Sequence, residues 1–193
     1  MRILVTGESG CGKTNFCRRI ADSARRSGLK VGGVLAPAVH RNGDRVGADA
    51  VDLATDESVP IARSIATAPW ERDARHTTIF REGLDLARAA LERAVRQPFD
   101  LIVIDEFGPL ELAGGGICQE AVEAWNSGRD VLLVAPSKIA DEAVDALGRP
   151  PDVRIVPEAM PIEAVAVDDV SSPPSKLAYC CRRPALLALS RAN

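Results

Sequence analysis

The stretch GESGCGKT, Gly7 to Thr14, constrains this chain more than any other. It fits the pattern G-x-x-x-x-G-K-[ST] at every fixed position. Before it, the apolar run Arg2 to Val5 reads as a strand. After it, Lys13 to Ser27 reads as a helix with Phe16, Ile20 and Ala24 on one face and Gly28 as its stop. A tight glycine turn from a buried strand into a helix belongs to α/β architectures, where a mostly parallel sheet carries such loops at its C-terminal edge. The glycines let the backbone curl so that its N–H groups converge, and the helix adds its positive dipole end. That is a cradle for a polyphosphate. Gly7, Glu8, Ser9, Gly10, Cys11, Gly12, Lys13, Thr14 and Asn15 form the candidate binding segment. Within it, Lys13 is expected to reach the β- and γ-phosphates, and the Thr14 hydroxyl to ligate Mg²⁺.

The pattern beyond the loop supports a layered α/β fold. Lys30 to Pro37, Asp100 to Asp105, Asp130 to Pro136 and Val153 to Pro157 read as strands. Phe80 to Arg96 is an amphipathic helix with Leu84, Ala87, Leu91 and Val95 at helical spacing. Glu120 to Ser127 is a second helix, and a third runs to Leu147 with Ser137 as a possible cap. HRNGDRVGADAVDLAT, with its Asn-Gly turn, and SVPIARSI read as a small antiparallel meander beside the main sheet. Thr67 to Thr78 reads as a loop, AGGGIC (Ala113 to Cys118) as a hinge or connector, and Asp168 to Lys176 as a linker. The expected division is a domain over residues 1–167 and a C-terminal tail over 168–193 with a possible short helix.

A second motif bears on chemistry. LIVIDEFGPLEL, Leu101 to Leu112, runs four large apolar residues into two adjacent acids. A carboxylate at the end of a buried strand near a phosphate loop is the expected partner of magnesium, and Asp105 is so placed. In the additional-strand class of phosphate-loop proteins a glutamate in this region is the general base, which assigns Glu106 to the attacking water. The alternative for Glu106 is a solvated strand end, and Glu111 reads as structural.

Three stretches, ILVTGESGCGKT, NGDRVGADAVDL and VIDEFGPLEL, together resemble the small nucleoside-triphosphatases of the THEP type, which include the cancer-related nucleoside-triphosphatase of animals. The pattern Asp-Glu-aromatic-or-aliphatic-Gly-x-x-Glu-Leu is the most distinctive, and the resemblance covers roughly residues 1 to 157. It implies a three-layer, RecA-like core and slow Mg²⁺-dependent hydrolysis of ATP, GTP and other NTPs to NDP and phosphate. The roles of Lys13, Thr14, Asp105 and Glu106 carry over by position. The second strand, GGVLAPAV, departs from the family by lacking an aromatic-Thr-x-Glu pattern, and the tail from Asp168 has no counterpart.

Other features delimit the reading. A net charge of -3 argues against a broad nucleic-acid surface. No segment has the ~20 apolar residues of a membrane span, and the N-terminus has too short an apolar run for a signal peptide, so a cytoplasmic location is expected. Reduced thiols are expected for Cys11, Cys17, Cys118, Cys180 and Cys181, with no zinc site at the Cys180-Cys181 pair. Arg63, Arg72, Arg75 and Arg81 include candidates for an arginine finger, although surface roles suit each one; Trp70 reads as core packing. Ser137 and Lys138 lie where a γ-phosphate sensor sometimes sits. The absence of Asn-Lys-x-Asp removes support for guanine specificity of the usual GTPase type. Two rivals to hydrolysis remain: a kinase for a nucleotide or small metabolite, and a nucleotide-dependent switch that docks a protein partner through the tail.

Overall fold

Alternating side-chain direction along fully buried strands gives this chain its layers. In the computed structural model, which describes residues 1–65 and 76–157, the first strand β1 (Arg2–Gly7) is apolar on both faces. Leu4 points into one core and Ile3 and Val5 into the other. The same split recurs in β2 (Val31–Leu35). It recurs in β7 (Leu101–Ile104) and β8 (Asp130–Pro136), named by their places in chain order. In β7, Ile102 and Ile104 join one core, and Leu101 and Val103 the other. A strand buried on both faces needs helices on both faces.

Those helices are α1 (Lys13–Arg26) on one side, and α2 (Arg81–Arg96), α4 (Cys118–Asn126) and α5 (Ala140–Leu147) on the other. Pro109–Leu112 forms the short α3. Gly28, at φ +80, ends α1 by donating to Arg25, while Leu29 donates to Ala24, so the expected stop holds. The buried stripe of α1 is Cys17, Ala21 and Ala24, with Phe16 and Ile20 half-buried beside it. The expected stripe is therefore rotated by about one residue: small side chains let the helix lie close to the sheet, and the larger ones fill its flanks.

The remaining strands are β3 (Ala38–Arg41), β4 (Asp44–Asp52), β5 (Ser58–Ile65), β6 (His76–Ile79) and β9 (Val153–Ile155). The sheet order is β6-β5-β4-β2-β7-β8-β1-β9, with β3 paired to β4. β2, β7, β8, β1 and β9 are mutually parallel. This is the expected three-layer, RecA-like core.

Three expectations change. The meander does not lie beside the sheet; it continues it, because Val34 pairs antiparallel with Asp52. His76 to Thr78, read as loop, belong to β6, which pairs with β5 through polar residues that carry no apolar alternation. Within the sheet, β8 separates β1 from β7. The hinge reading of Ala113 to Cys118 gives way to a closed connector, since Gly114, Gly115 and Cys118 each donate to a carbonyl three to five residues back. Trp70, Arg72, Arg75 and the tail lie outside the described residues. Among the described residues no helix is long and apolar enough to cross a membrane.

Two glycines in the core are dictated by contact. Gly33, at φ +101, lies so close to Val103 that any Cβ would overlap that residue's carbonyl. Gly32 faces Phe99 and Ala94, where a Cβ would come within 3.0 Å. Together they let β2 lie flat between β7 and α2.

Candidate active site

The loop between β1 and α1 folds as its glycines require. Gly10 and Gly12 have φ of +81 and +91, a left-handed geometry costly for other residues. A Cβ on Gly7 would come within 2.6 Å of the Cys11 Sγ, so the thiol packs against the glycine and closes the loop's base. Gly12 caps α1 without any side-chain bond. The first N–H groups of that helix consequently have no intrahelical acceptor and are available to an anion. Glu8, Ser9 and Gly10 are exposed at the crown, Thr14 is half-buried and Asn15 is exposed.

Lys13 is buried in the first turn, and its Nζ donates to the Gly7 carbonyl at 2.8 Å and the Glu8 carbonyl at 2.7 Å. An ammonium has three N–H donors, so this bonding fixes the amine at the loop mouth with one donor left over.

Asp105 is buried just past β7, at 3% exposure. Its Oδ2 accepts the Ala36 N–H at 3.1 Å, and the Thr14 side chain lies beside its carboxylate. Burial pushes its pKa up. The Ala36 and Thr14 bonds pull the other way, Glu106 adds to the rise, and Lys13 opposes it. The same neighbourhood acts on Cys17, a buried thiol pushed well up by burial and further by Asp105, with Lys13 opposing. Thus the phosphate-loop threonine and the strand-end aspartate, some ninety residues apart in sequence, meet in space. They make a pair of hard oxygen donors of which one is charged, a donor set that fits magnesium, whose other positions go to phosphate oxygens and water.

Glu106 is exposed, but the residues flanking it are pinned. On one side Asp105 donates its N–H to Val34 at 3.2 Å, in β2. On the other, the fully buried Phe107 donates to Val134 at 2.7 Å, in β8. The peptide bond between Asp105 and Glu106 is cis. The bond to Val134 draws the chain from β7 over the end of β8, the strand that adjoins β1. Two strand spacings of about 4.8 Å separate β7 from β1, with β8 between them.

Glu111 is buried, and its carboxylate accepts the N–H groups of Gly108 at 2.9 Å and Ile117 at 3.4 Å. Its expected structural role stands. Burial pushes its pKa up against the pull of those backbone bonds, and nearby Glu106 pushes in the same upward direction.

Other predicted residues are placed differently. Ser137 caps no helix: its hydroxyl meets the Glu8 carboxylate at 2.8 Å, and α5 starts after a 3₁₀ turn, Ser137–Ile139. Arg63 is committed to Asp49 at 2.5 Å and to the Ala48 and Ala62 carbonyls. Four strands separate its strand from β1, a lateral distance of about 24 Å, too far for an arginine finger. Arg81 is exposed and pairs with Asp85 at 3.6 Å. Sequence reasoning missed the Ala36 N–H, which has no side-chain signature, and Arg88, which looks like any other arginine on the polar face of α2.

A glycine-rich loop closing a parallel strand, an N-terminal helix turn aimed at it and a buried acid beside the loop threonine define a phosphate-loop nucleotide-binding protein of the α/β class. The family model for NTPase matches residues 2–158 of the chain. The chain belongs to this nucleoside-triphosphatase family. It is 30% identical to nucleoside-triphosphatase THEP1 of Methanopyrus kandleri over 78% of this chain and 82% of that protein. With the THEP1 nucleoside-triphosphatase of Thermococcus kodakarensis it is 34% identical over 73% and 79%. Two solved structures share the fold. A human cancer-related nucleoside triphosphatase superposes with a TM-score of 0.60 at 21% identity, covering 100% of this chain and 98% of the other. THEP1 from Aquifex aeolicus superposes at 0.61 and 22% identity, covering 83% and 91%.

Proposed function

We propose that this chain hydrolyses nucleoside triphosphates, ATP and GTP among them, to the diphosphate and phosphate, with Mg²⁺ as cofactor and Glu106 as the group that activates water. The observation that carries this reading is the buried Asp105 carboxylate at the end of β7, held by the Ala36 N–H and set beside Thr14 of the phosphate loop. A loop that bound phosphate alone would have no use for a buried acid at this point, where its desolvation is costly.

In this reading the backbone N–H groups of residues 8–14 and the start of α1 hold the β- and γ-phosphates. Lys13 swings one N–H toward their oxygens. Thr14 and Asp105 would hold magnesium, which when bound would supply positive charge against the phosphate oxygens. Glu106 accepts a hydrogen bond from a water in line with the γ-phosphorus. As the new P–O bond forms and the bond to the β-phosphate oxygen breaks, the carboxylate takes up the water's proton and passes it to solvent. Water and NTP become NDP, phosphate and a proton.

Membership of the family and the Asp105-Glu106 pair favour hydrolysis over a kinase. The test is a phosphate-release panel across ATP, GTP, CTP, UTP and deoxynucleotides, with and without Mg²⁺, on the natural chain and on Glu106→Gln. Release without any acceptor, lost on metal removal and lowered about 100-fold by the substitution with nucleotide affinity retained, is the expected result. Consumption of ATP only in the presence of an acceptor would sink it.

A further inference from the structure

The general-base reading of Glu106 leaves open what aims an exposed side chain. Its upstream anchors belong to the sheet. Downstream, the chain leaves Phe107 for Gly108, then α3 and the connector to α4, and one peptide group in that connector is held from both ends. The carbonyl of Gly116 accepts two N–H bonds from Arg88, from Nε at 2.9 Å and Nη2 at 2.7 Å. The N–H on the other end of the same peptide, that of Ile117, donates to Glu111 Oε1 at 3.4 Å. The other Glu111 oxygen takes the Gly108 N–H at 2.9 Å, two residues past Glu106. A guanidinium on the oxygen and a carboxylate on the hydrogen polarise this peptide along its own dipole. Charge-assisted bonds of this kind are stronger than neutral ones. The position also requires glycine: Gly116 sits at φ +56, and a Cβ there would overlap the Glu111 carboxylate.

We infer, resting on the reading of Glu106 as base, that Arg88 and Glu111 are positioning residues: through the Gly116–Ile117 peptide they tie α2 to Gly108 and so fix the backbone that aims Glu106 at the attacking water. Neither residue touches the nucleotide. A brace that only stabilised the fold would have no reason to converge on the segment bearing the base. Here the charged pair closes a path from α2, through the connector, back to the residue pair that follows Glu106. Arg88 also approaches Glu120 at 3.9 Å, so its guanidinium is oriented from α4 as well.

The chemistry of the brace selects the variants. Glutamine at position 111 keeps the size but can offer an acceptor to one of the two N–H groups while turning its NH₂ toward the other. Lysine at position 88 keeps the charge but loses the fork that reaches the Gly116 carbonyl twice. The experiment measures single-turnover and steady-state phosphate release, with nucleotide affinity by titration, for Glu111→Gln, Arg88→Ala and Arg88→Lys. Each is made alone and combined with Glu106→Gln. Expected is a loss of about 10-fold or more in kcat for Glu111→Gln and Arg88→Ala, partial recovery in Arg88→Lys and unchanged nucleotide affinity. In the Glu106→Gln background the further loss disappears, since a misaimed base costs nothing once the base is gone.

Losses of equal factor in both backgrounds, or losses confined to nucleotide affinity, overturn the inference and leave the base assignment standing. A Glu106→Gln protein with natural turnover overturns that assignment first, and the inference falls with it. If Glu111→Gln does not fold, the two Arg88 variants carry the same cycle, because that side chain is partly exposed.

Discussion

Ser137 and Glu8 join the end of β8 to the crown of the phosphate loop, hydroxyl to carboxylate at 2.8 Å. The two residues are 129 positions apart. The bond makes the strand between β1 and β7 a wall of the candidate site as well as a spacer. An exposed hydrogen bond to a charged group contributes about 1 kcal/mol, which corresponds to a five- to tenfold effect. Ser137→Ala is therefore expected to raise KM for nucleotide by about that factor with little change in stability, since the loop would sample more conformations before binding. Glu8→Gln should weaken the same link, and the double variant should cost no more than the worse single one. Additive losses measured in the two-by-two series would instead mean that Ser137 meets the phosphate directly.

This link shows where sequence is informative and where it stops. The loop from Gly7 to Thr14 and the acids Asp105 and Glu106 were legible because each requires residue types at fixed local offsets. Strand order was not. Nothing in DVLLVAP says that it lies between RILVTG and LIVI, because pairing among equally apolar strands is decided by the crossovers and the whole packing. β6 escaped notice because His-Thr-Thr-Ile has no apolar alternation to show. Ser137 reads as a cap or a phosphate sensor, because a serine after a strand and before a helix has the right local pattern for either. Its hydroxyl went to a tertiary partner instead. Local chemistry can be read from a chain; a choice between local and distant partners needs the fold.

Gly83 sets helix propensity against packing. It lies in the first turn of α2, where Ala is favoured over Gly by about 1 kcal/mol. Yet a Cβ at this position would overlap the Pro60 carbonyl and the Ile61 Cα in β5. Both contacts are backbone, so neither can rotate away. Gly83→Ala is expected to destabilise by about 2 kcal/mol, an overpacking cost that outweighs the propensity gain. Chemical denaturation of the two proteins decides it, and a more stable variant would show that α2 can slide on the meander at little cost.

Asp52 closes the opposite flank of the sheet. Its side chain is 0% exposed, and its Oδ2 accepts from Arg93 Nη2 at 2.7 Å while its Oδ1 takes the Ala54 N–H at 2.8 Å. The pair pins the turn after β4 to the last turn of α2. Removing one partner of a buried pair leaves an uncompensated charge, which costs about 3 kcal/mol or more. Arg93→Met should therefore be strongly destabilised, and Asp52→Asn in the same chain should recover part of the loss. Equilibrium unfolding of the singles and the double gives the coupling. Equal stability of Arg93→Met and the natural chain would mean that the buried Asp52 side chain is accommodated without its partner at little cost.

Asp105 carries the clearest conflict between stability and the proposed chemistry. Burial pushes its pKa above the ordinary aspartate value of 3.8, outweighing the Ala36 and Thr14 bonds and the nearby Lys13 charge. The folded chain thus holds this proton to higher pH than the unfolded chain does. Between the ordinary and the raised value the folded state binds more protons, so the slope of unfolding free energy with pH is negative. The side chain's contribution is fully present below the ordinary value and is lost as pH rises through the raised one. Above the raised value the ionised, buried carboxylate is a net cost to the metal-free fold. Asparagine can keep an acceptor for the Ala36 N–H and carries no charge. Asp105→Asn, melted in the presence of a chelator, is expected to be more stable than the natural chain above the raised value, with a flatter dependence on pH between the ordinary and the raised value. Addition of Mg²⁺ with a non-hydrolysable nucleotide should reverse the order, because ligand binding stabilises by RT ln(1 + [L]/Kd) and the variant lacks the charged oxygen that holds the ion. A variant less stable than the natural chain at every pH in chelator would mean that the hydrogen bonds of the carboxylate outweigh its desolvation, contrary to the balance that its surroundings imply.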